Sequence, residues 1–195
     1  MTTATKRPVF VPPEPPRTPK SAGTRQRLLS VAGALFIERG YSAVSIRDIA
    51  ARAGLTNGAV YGHFRSKGQL LVEVIRTKMA DSDFASRSDD GAPEPLHGVE
   101  LLYDERRREI RLLEVDAAAA ARNDPDVAAG LALLYKERHE RIRDTFATAE
   151  LRDPGAAAWL IAVLTVGIGA QEAVARPRPD DERLHALFVD LIPRL

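Results

Sequence analysis

Apolar residues recur along this chain at helical spacing almost everywhere, and nowhere do they alternate as a half-buried strand requires. Leu28, Ala32, Leu35 and Phe36 form one stripe, on a helix that Thr24 can cap and Gly40 can end. Ile46, Ile49, Ala50 and Ala53 form the next, with Ser45 and Asp48 spaced for a capping box, so a helix is expected over Ser45 to Ala53. Gly54 suits the left-handed residue that ends it, and the Thr56 hydroxyl can cap a further short helix to about Phe64. On that helix only Val60 and Phe64 face inward, four apart. Ser66 and Gln69 are spaced for another capping box, and Leu70, Leu71, Val74, Ile75 and Lys78 carry a fourth helix to about Ala80.

Residues 81–95, DSDFASRSDDGAPEP, are poor in apolar residues and read as a linker. Beyond it, Leu96, Val99, Leu102 and Tyr103 mark one helix, and Ile110, Leu113 and Ala117 another running to Arg122. Asn123 or Asp124 can cap a helix with Pro125 at its first position, on which Leu131, Leu134, Arg138, Ile142 and Phe146 share a face. After Asp153 and Pro154 come sixteen residues without a charge, GAAAWLIAVLTVGIGA. A bilayer span needs about twenty, so a buried helix is the expected reading. Asp180 or Asp181 opens a last helix bearing Leu184, Leu187, Phe188 and Leu191. The pattern predicts an all-α protein with a short-helix N-terminal domain at 24–80, a linker at 81–95 and a longer helical domain at 96–195.

The first 23 residues lack this periodicity. Six of the thirteen prolines lie within the first nineteen positions, and Lys6, Arg7, Arg17 and Lys20 against Glu14 leave the segment at +3. It reads as a disordered, basic, Pro-rich arm, able to trail along phosphates or to stay inert. It has no apolar secretory core, so the protein is expected to remain in the cytoplasm.

Charge adds a polarity that the total of +1 hides. Residues 1–80 carry thirteen Lys and Arg against four Asp and Glu, +9, and residues 81–195 carry fifteen against twenty-three, −8. A basic first part attracts a phosphate backbone while an acidic second part turns away from it. The absence of cysteine removes disulfides, thiolate metal sites and thiol nucleophiles. His63, His97, His139 and His185 show no metal-ligand spacing, so no cofactor or metal is expected.

The segment SIRDIAARAGLTNGAVYGHFRSK has small, hydrogen-bonding residues at the front of its second helix, which is what a major groove admits. With the preceding TRQRLL and ALFIERGY, the stretch from Thr24 to about Ile75 resembles the DNA-binding domain of the TetR family of transcriptional regulators. The resemblance implies an N-terminal three-helix domain with a helix-turn-helix, joined by a fourth helix to a C-terminal helical domain that binds a small-molecule effector and dimerises. It implies a homodimer on double-stranded DNA, more often a repressor than an activator; no membrane association is expected, the sixteen-residue uncharged run being short for a span.

Chemistry and resemblance together assign base edges to Arg47, Thr56, Asn57 and His63, with Gly58 and Ala59 permitting close approach. Phosphates fall to Ser45, Tyr61, Lys67 and Arg25, the last two as cations. Tyr103, Arg138, Phe146 and Trp159 are candidates to line an effector pocket, and core packing is the competing account of the three aromatics. Small residues at Ala158, Ala162, Thr165, Gly169 and Ala173 make a stripe along which another helix can approach closely. Together with Leu184, Leu187, Phe188 and Leu191 they are the expected dimer interface. Two other classes remain: a helical interaction module whose helix-turn-helix is only structural, and an enzyme using the C-terminal domain. Against the enzyme, the sequence shows no Gly-rich phosphate loop and no nucleophile with a histidine at a recognisable spacing.

Overall fold

The computed structural model describes residues 10–16, 18–81, 104–148, 151–175 and 181–191, and the described residues are helices and their connections, without a strand. Helix α1 spans Pro19–Arg39, α2 Ile46–Ala53, α3 Asn57–Tyr61 and α4 Lys67–Asp81. A 3-10 turn at Glu105–Arg107 leads into α5, Arg108–Ala120, followed by α6 at Pro125–Thr148, α7 at Pro154–Ala173 and α8 at Asp181–Leu191. The chain divides into two compact units, one of residues 1–77 and 116–134, the other of 78–115 and 135–195. Residues 116–134, which the sequence pattern groups with the C-terminal domain, thus belong to the same unit as the helix-turn-helix.

In the first unit, α1 begins six residues before the position that Thr24 would cap. Pro19 occupies its first turn, where a missing N–H costs nothing, and the Thr18 hydroxyl accepts from the Ser21 amide at 3.2 Å. Thr24 is inside the helix, its hydroxyl donating to the Lys20 carbonyl. Helix α2 is opened by a reciprocal box. The Ser45 hydroxyl receives the Asp48 amide, and the Asp48 carboxylate receives the Ser45 amide at 2.9 Å and its hydroxyl at 2.6 Å. These bonds hold the Asp48 carboxyl below the usual carboxylate range. At its far end Gly54 is left-handed, φ 66°, and its N–H and that of Leu55 return to the last turn of the helix.

The Thr56 hydroxyl then accepts from the Ala59 amide at 3.2 Å to start α3. This helix ends at Tyr61, three residues before the expected Phe64, with Gly62 and His63 closing the turn onto Gly58 and Val60. Leu28, Leu35, Phe36, Ile49, Val60, Phe64, Leu70, Leu71 and Ile75 make the core that these short helices share. No helix of five to eight residues is stable alone, so this common core is what holds α2 and α3 in shape.

Residues 124–134 join this unit at close range. A Cβ on Gly68 would stand 2.9 Å from Val127 Cγ2, and one on Gly130 would stand 2.6 Å from Val72 Cγ2. Asp124, rather than Asn123, caps α6, accepting from the amides of Asp126 and Val127, and its other oxygen takes the Tyr41 hydroxyl at 2.8 Å. Phe10, in the stretch expected to be a free arm, is buried against the same helices, beside Val72 and the Gly130 backbone.

The second unit has a core of Ile142, Phe146, Ala157, Ala158 and Ile161, with Leu151, Leu164 and Ile168 packed against it. Helix α7 is 20 residues long, and by length and composition it could cross a membrane. Here it lies against α5 so closely that a Cβ on Gly169 would come 2.7 Å from the Arg111 carbonyl oxygen. Buried Thr165 accepts from Arg138 at 2.7 Å, an arrangement that gives α7 polar as well as apolar work inside the unit.

Candidate nucleic-acid interface

The face of the first unit built by α2 and α3 is set by what the core takes away from it. Val60 and Phe64 are fully buried, which turns the rest of α3 and its turn outward. Thr56, Asn57, Gly58 and Tyr61 are exposed and Ala59 half-buried, with Tyr61 retaining 55% of its surface. Arg47 and Ser45 at the start of α2 are exposed too. A Cβ on Gly58 would meet only the Thr56 hydroxyl, at 3.8 Å, leaving open space in front of the helix. His63 is half-buried, its ring 6.4 Å from that of Phe64.

Two cations assigned to phosphates also have partners inside the fold. The Lys67 ammonium donates to the carbonyls of Tyr41 and Val44 at 2.9 and 2.8 Å and lies 4.1 Å from the centre of the Tyr41 ring. Burial pushes its pKa below the ordinary lysine value, with the nearby Asp124 charge acting the other way. Arg25 pairs with Glu73 at 2.7 Å and lies over the Phe64 ring. Both side chains thus help to hold the helices together, a buried carbonyl or carboxylate within reach being a good partner for a partly desolvated cation. Sequence spacing could not reveal these partners, since Tyr41 and Glu73 are 26 and 48 residues away in the chain.

The second unit contains a buried polar cluster that sequence reasoning met only at Arg138. Its guanidinium donates to Glu114 at 2.9 Å and to the Thr165 hydroxyl at 2.7 Å, and Glu114 is fully buried. Burial drives the Glu114 carboxyl up, against the pull of Arg138 and Arg107, while burial pushes Arg107 down to about 10. Beside them Arg111, 1% exposed, grips Glu172 with two bonds of 2.8 and 2.6 Å. Glu114 Oε2 and the Tyr135 hydroxyl are buried without a hydrogen-bond partner. A signal for Glu114 was present: it falls four residues after Ile110, on the apolar face of α5.

The other candidates of this unit are dispersed. Phe146 is a core residue, Trp159 is 63% exposed, and Tyr103 lies outside the described residues. Of the small-residue stripe, Ala158, Thr165 and Gly169 are buried within the unit, Ala162 is half-buried and Ala173 exposed. The stripe therefore serves the approach of helices of the same chain. What α7 leaves in solvent is the opposite face, with Ala156, Trp159, Val163, Gly167 and Ala170. Leu187 and Leu191 of α8 are exposed, and the side chains of Leu184 and Phe188 lie outside the described residues.

Residues 28–74 match the family of bacterial regulatory proteins, tetR family. Over 72 residues the chain is 41% identical to the HTH-type transcriptional repressor KstR2 of Rhodococcus jostii, an alignment covering 37% of this chain and 35% of that protein. The chain thus spans about a third of the length of the curated relatives it first matches. A crystal structure of a regulator from Rhodococcus sp. assigned to the TetR family superposes with a TM-score of 0.72 at 19% identity, over 88% of this chain and 98% of that one. NalD, the secondary repressor of the MexAB-OprM multidrug efflux pump in Pseudomonas aeruginosa, does so with a TM-score of 0.58 at 24% identity, over 89% and 97%. At these identities the two structures establish the likeness of fold.

Proposed function

The chain belongs to the TetR family of transcriptional regulators through its N-terminal helix-turn-helix domain, and on that premise we propose that it is a homodimeric, effector-responsive DNA-binding repressor of the cytoplasm. The observation that carries this reading is the outer face of α3. Asn57, Gly58 and Tyr61 stand in solvent on a helix whose opposite side is locked into the core by Val60 and Phe64. Base edges fall to Arg47, Thr56, Asn57 and His63, and phosphates to Ser45 and Tyr61. One such helix touches few bases, each good contact being worth about 1 to 3 kcal/mol, so two copies in successive major grooves are needed for useful specificity. The exposed apolar face of α7 around Trp159 and Val163, with Leu187 and Leu191 of α8, is the surface we assign to the second copy.

Selection of bound sequences from random duplex DNA tests the reading. The wild-type chain should recover a two-fold-symmetric site, and Asn57→Ala, Tyr61→Ala should lose it. Equal recovery by both proteins would reduce the helix-turn-helix to a structural element and favour the interaction-module alternative.

For the effector, the support is the polar cluster of the second unit, where Glu114 Oε2 and the Tyr135 hydroxyl have hydrogen-bonding capacity that the protein leaves unused. A buried hydroxyl without a partner penalises the folded state. Tyr135→Phe should therefore stabilise the ligand-free protein by about 1 kcal/mol, seen as a higher denaturation midpoint at unchanged slope. Destabilisation instead would mean that the hydroxyl already has a partner in the protein, and would withdraw Tyr135 from the effector reading.

A further inference from the structure

Gln69 is a buried amide, 2% exposed, and both ends of it are occupied. Its Oε1 accepts the Arg65 amide at 2.8 Å, and its Nε2 donates to the Val11 carbonyl at 2.7 Å. Its own amide completes the start of α4 on the Ser66 hydroxyl at 3.0 Å. In the box expected from Ser66 and Gln69, the returning side chain thus reaches one residue further back, to Arg65, and its remaining donor is free to hold residue 11. Arg65 lies in the turn that follows α3, so one side chain connects the N-terminal segment to the end of the helix presenting Asn57 and Tyr61. Phe10 fastens that segment as well. A Cβ on Gly130 would come within 2.9 Å of its ring, so the ring occupies the room that the missing side chain leaves. An apolar anchor and an amide bond thus hold the adjacent residues 10 and 11.

We propose that the segment around residues 10 and 11 is a strap that positions the DNA-reading helix, with Phe10 and Gln69 as positioning residues that do not touch DNA. The inference rests on the DNA-binding reading above. It differs from an electrostatic arm in one respect: an uncharged ring, seated in the protein, controls affinity. A basic arm acts through released counterions and sets the salt dependence of binding, whereas a strap changes affinity at constant salt dependence.

The experiment uses the full chain with Phe10→Ala, Phe10→Leu, Gln69→Glu and the double variant Phe10→Ala, Gln69→Glu. The Glu side chain keeps an acceptor for Arg65 but sets an oxygen against the Val11 carbonyl. Two quantities are read, exchange of the Arg65 amide with solvent and affinity for the selected duplex across a salt series. Phe10→Ala and Gln69→Glu should each speed Arg65 exchange and weaken binding roughly tenfold, the scale of one lost buried hydrogen bond. Salt dependence should be unchanged, the double variant should be no weaker than the weaker single, and Phe10→Leu should restore both readouts. Unchanged Arg65 exchange in both single variants overturns the strap. Faster exchange with wild-type affinity also overturns it, since the turn would then be uncoupled from the reading face, as would full additivity in the double variant. If the wild-type chain selects no sequence, the regulator reading fails separately, and Arg65 exchange alone then decides whether the strap holds the turn.

Discussion

Arg138→Met is expected to destabilise the protein by about 3 to 5 kcal/mol, because it strands a buried carboxylate. Glu114 is fully buried, one of its oxygens is already without a partner, and Arg138 supplies the bond to the other. Removing both charges should be far milder. The double variant Arg138→Met, Glu114→Met should recover most of the loss, since a buried ion pair exchanged for apolar side chains of similar size is often neutral or better. The loss should also depend on pH. Burial raises the Glu114 pKa, so its stabilising share is complete below the ordinary carboxylate value and is lost as pH rises through the raised one. Without Arg138 that pKa climbs further, and the deficit at neutral pH should shrink on acidification. Denaturant unfolding of the three proteins at neutral and mildly acidic pH checks this. A single-variant loss below about 1 kcal/mol would place the pair in solvent rather than in the core.

Gly58→Leu should separate folding from DNA binding. Its side chain enters open space, the nearest atom to the new Cβ being the Thr56 hydroxyl at 3.8 Å, and leucine is the better helix former by close to 1 kcal/mol. The thermal midpoint should therefore hold or rise. Binding to the selected duplex should nevertheless fall by about 100-fold, as the bulk moves α3 off the base edges and forfeits two contacts' worth of energy. A calorimetric scan and a titration on the same preparation measure the two. Binding that survives the leucine would move the groove contact away from the front of α3. A midpoint that drops would show that the position is packed.

Local and long-range features of this fold lay unequally open in the sequence. Local chemistry was legible. The capping box of Ser45 and Asp48, the left-handed stop at Gly54 and the cap of Thr56 depend on neighbours within a few residues, and the structure forms all three. So did the helical identity of α4 to α8, whose apolar spacing needs no partner to be recognised. At α1 the expected cap, Thr24, gives way to Thr18, where Pro19 supplies a pre-formed first turn.

The partners of charges and of small residues were not legible in the sequence. Lys67 and Arg25 sit in a basic segment with a DNA-reading motif, yet both are claimed by acceptors brought in from elsewhere in the chain. The small-residue stripe of α7 correctly announced a close helix approach but not whose helix; the Gly169 face is taken by Arg111 of the same chain.

By itself, then, the sequence determined the helices, their caps and the family signature, because hydrogen bonds within three or four residues and a 3.6-residue apolar period are properties of a segment alone. Only the tertiary structure decided which side chains are free to meet a ligand. Whether Lys67 faces solvent or a carbonyl, and whether Phe10 trails or is seated beside Gly130, depends on residues far apart in the chain that only folding places within a few ångströms of each other.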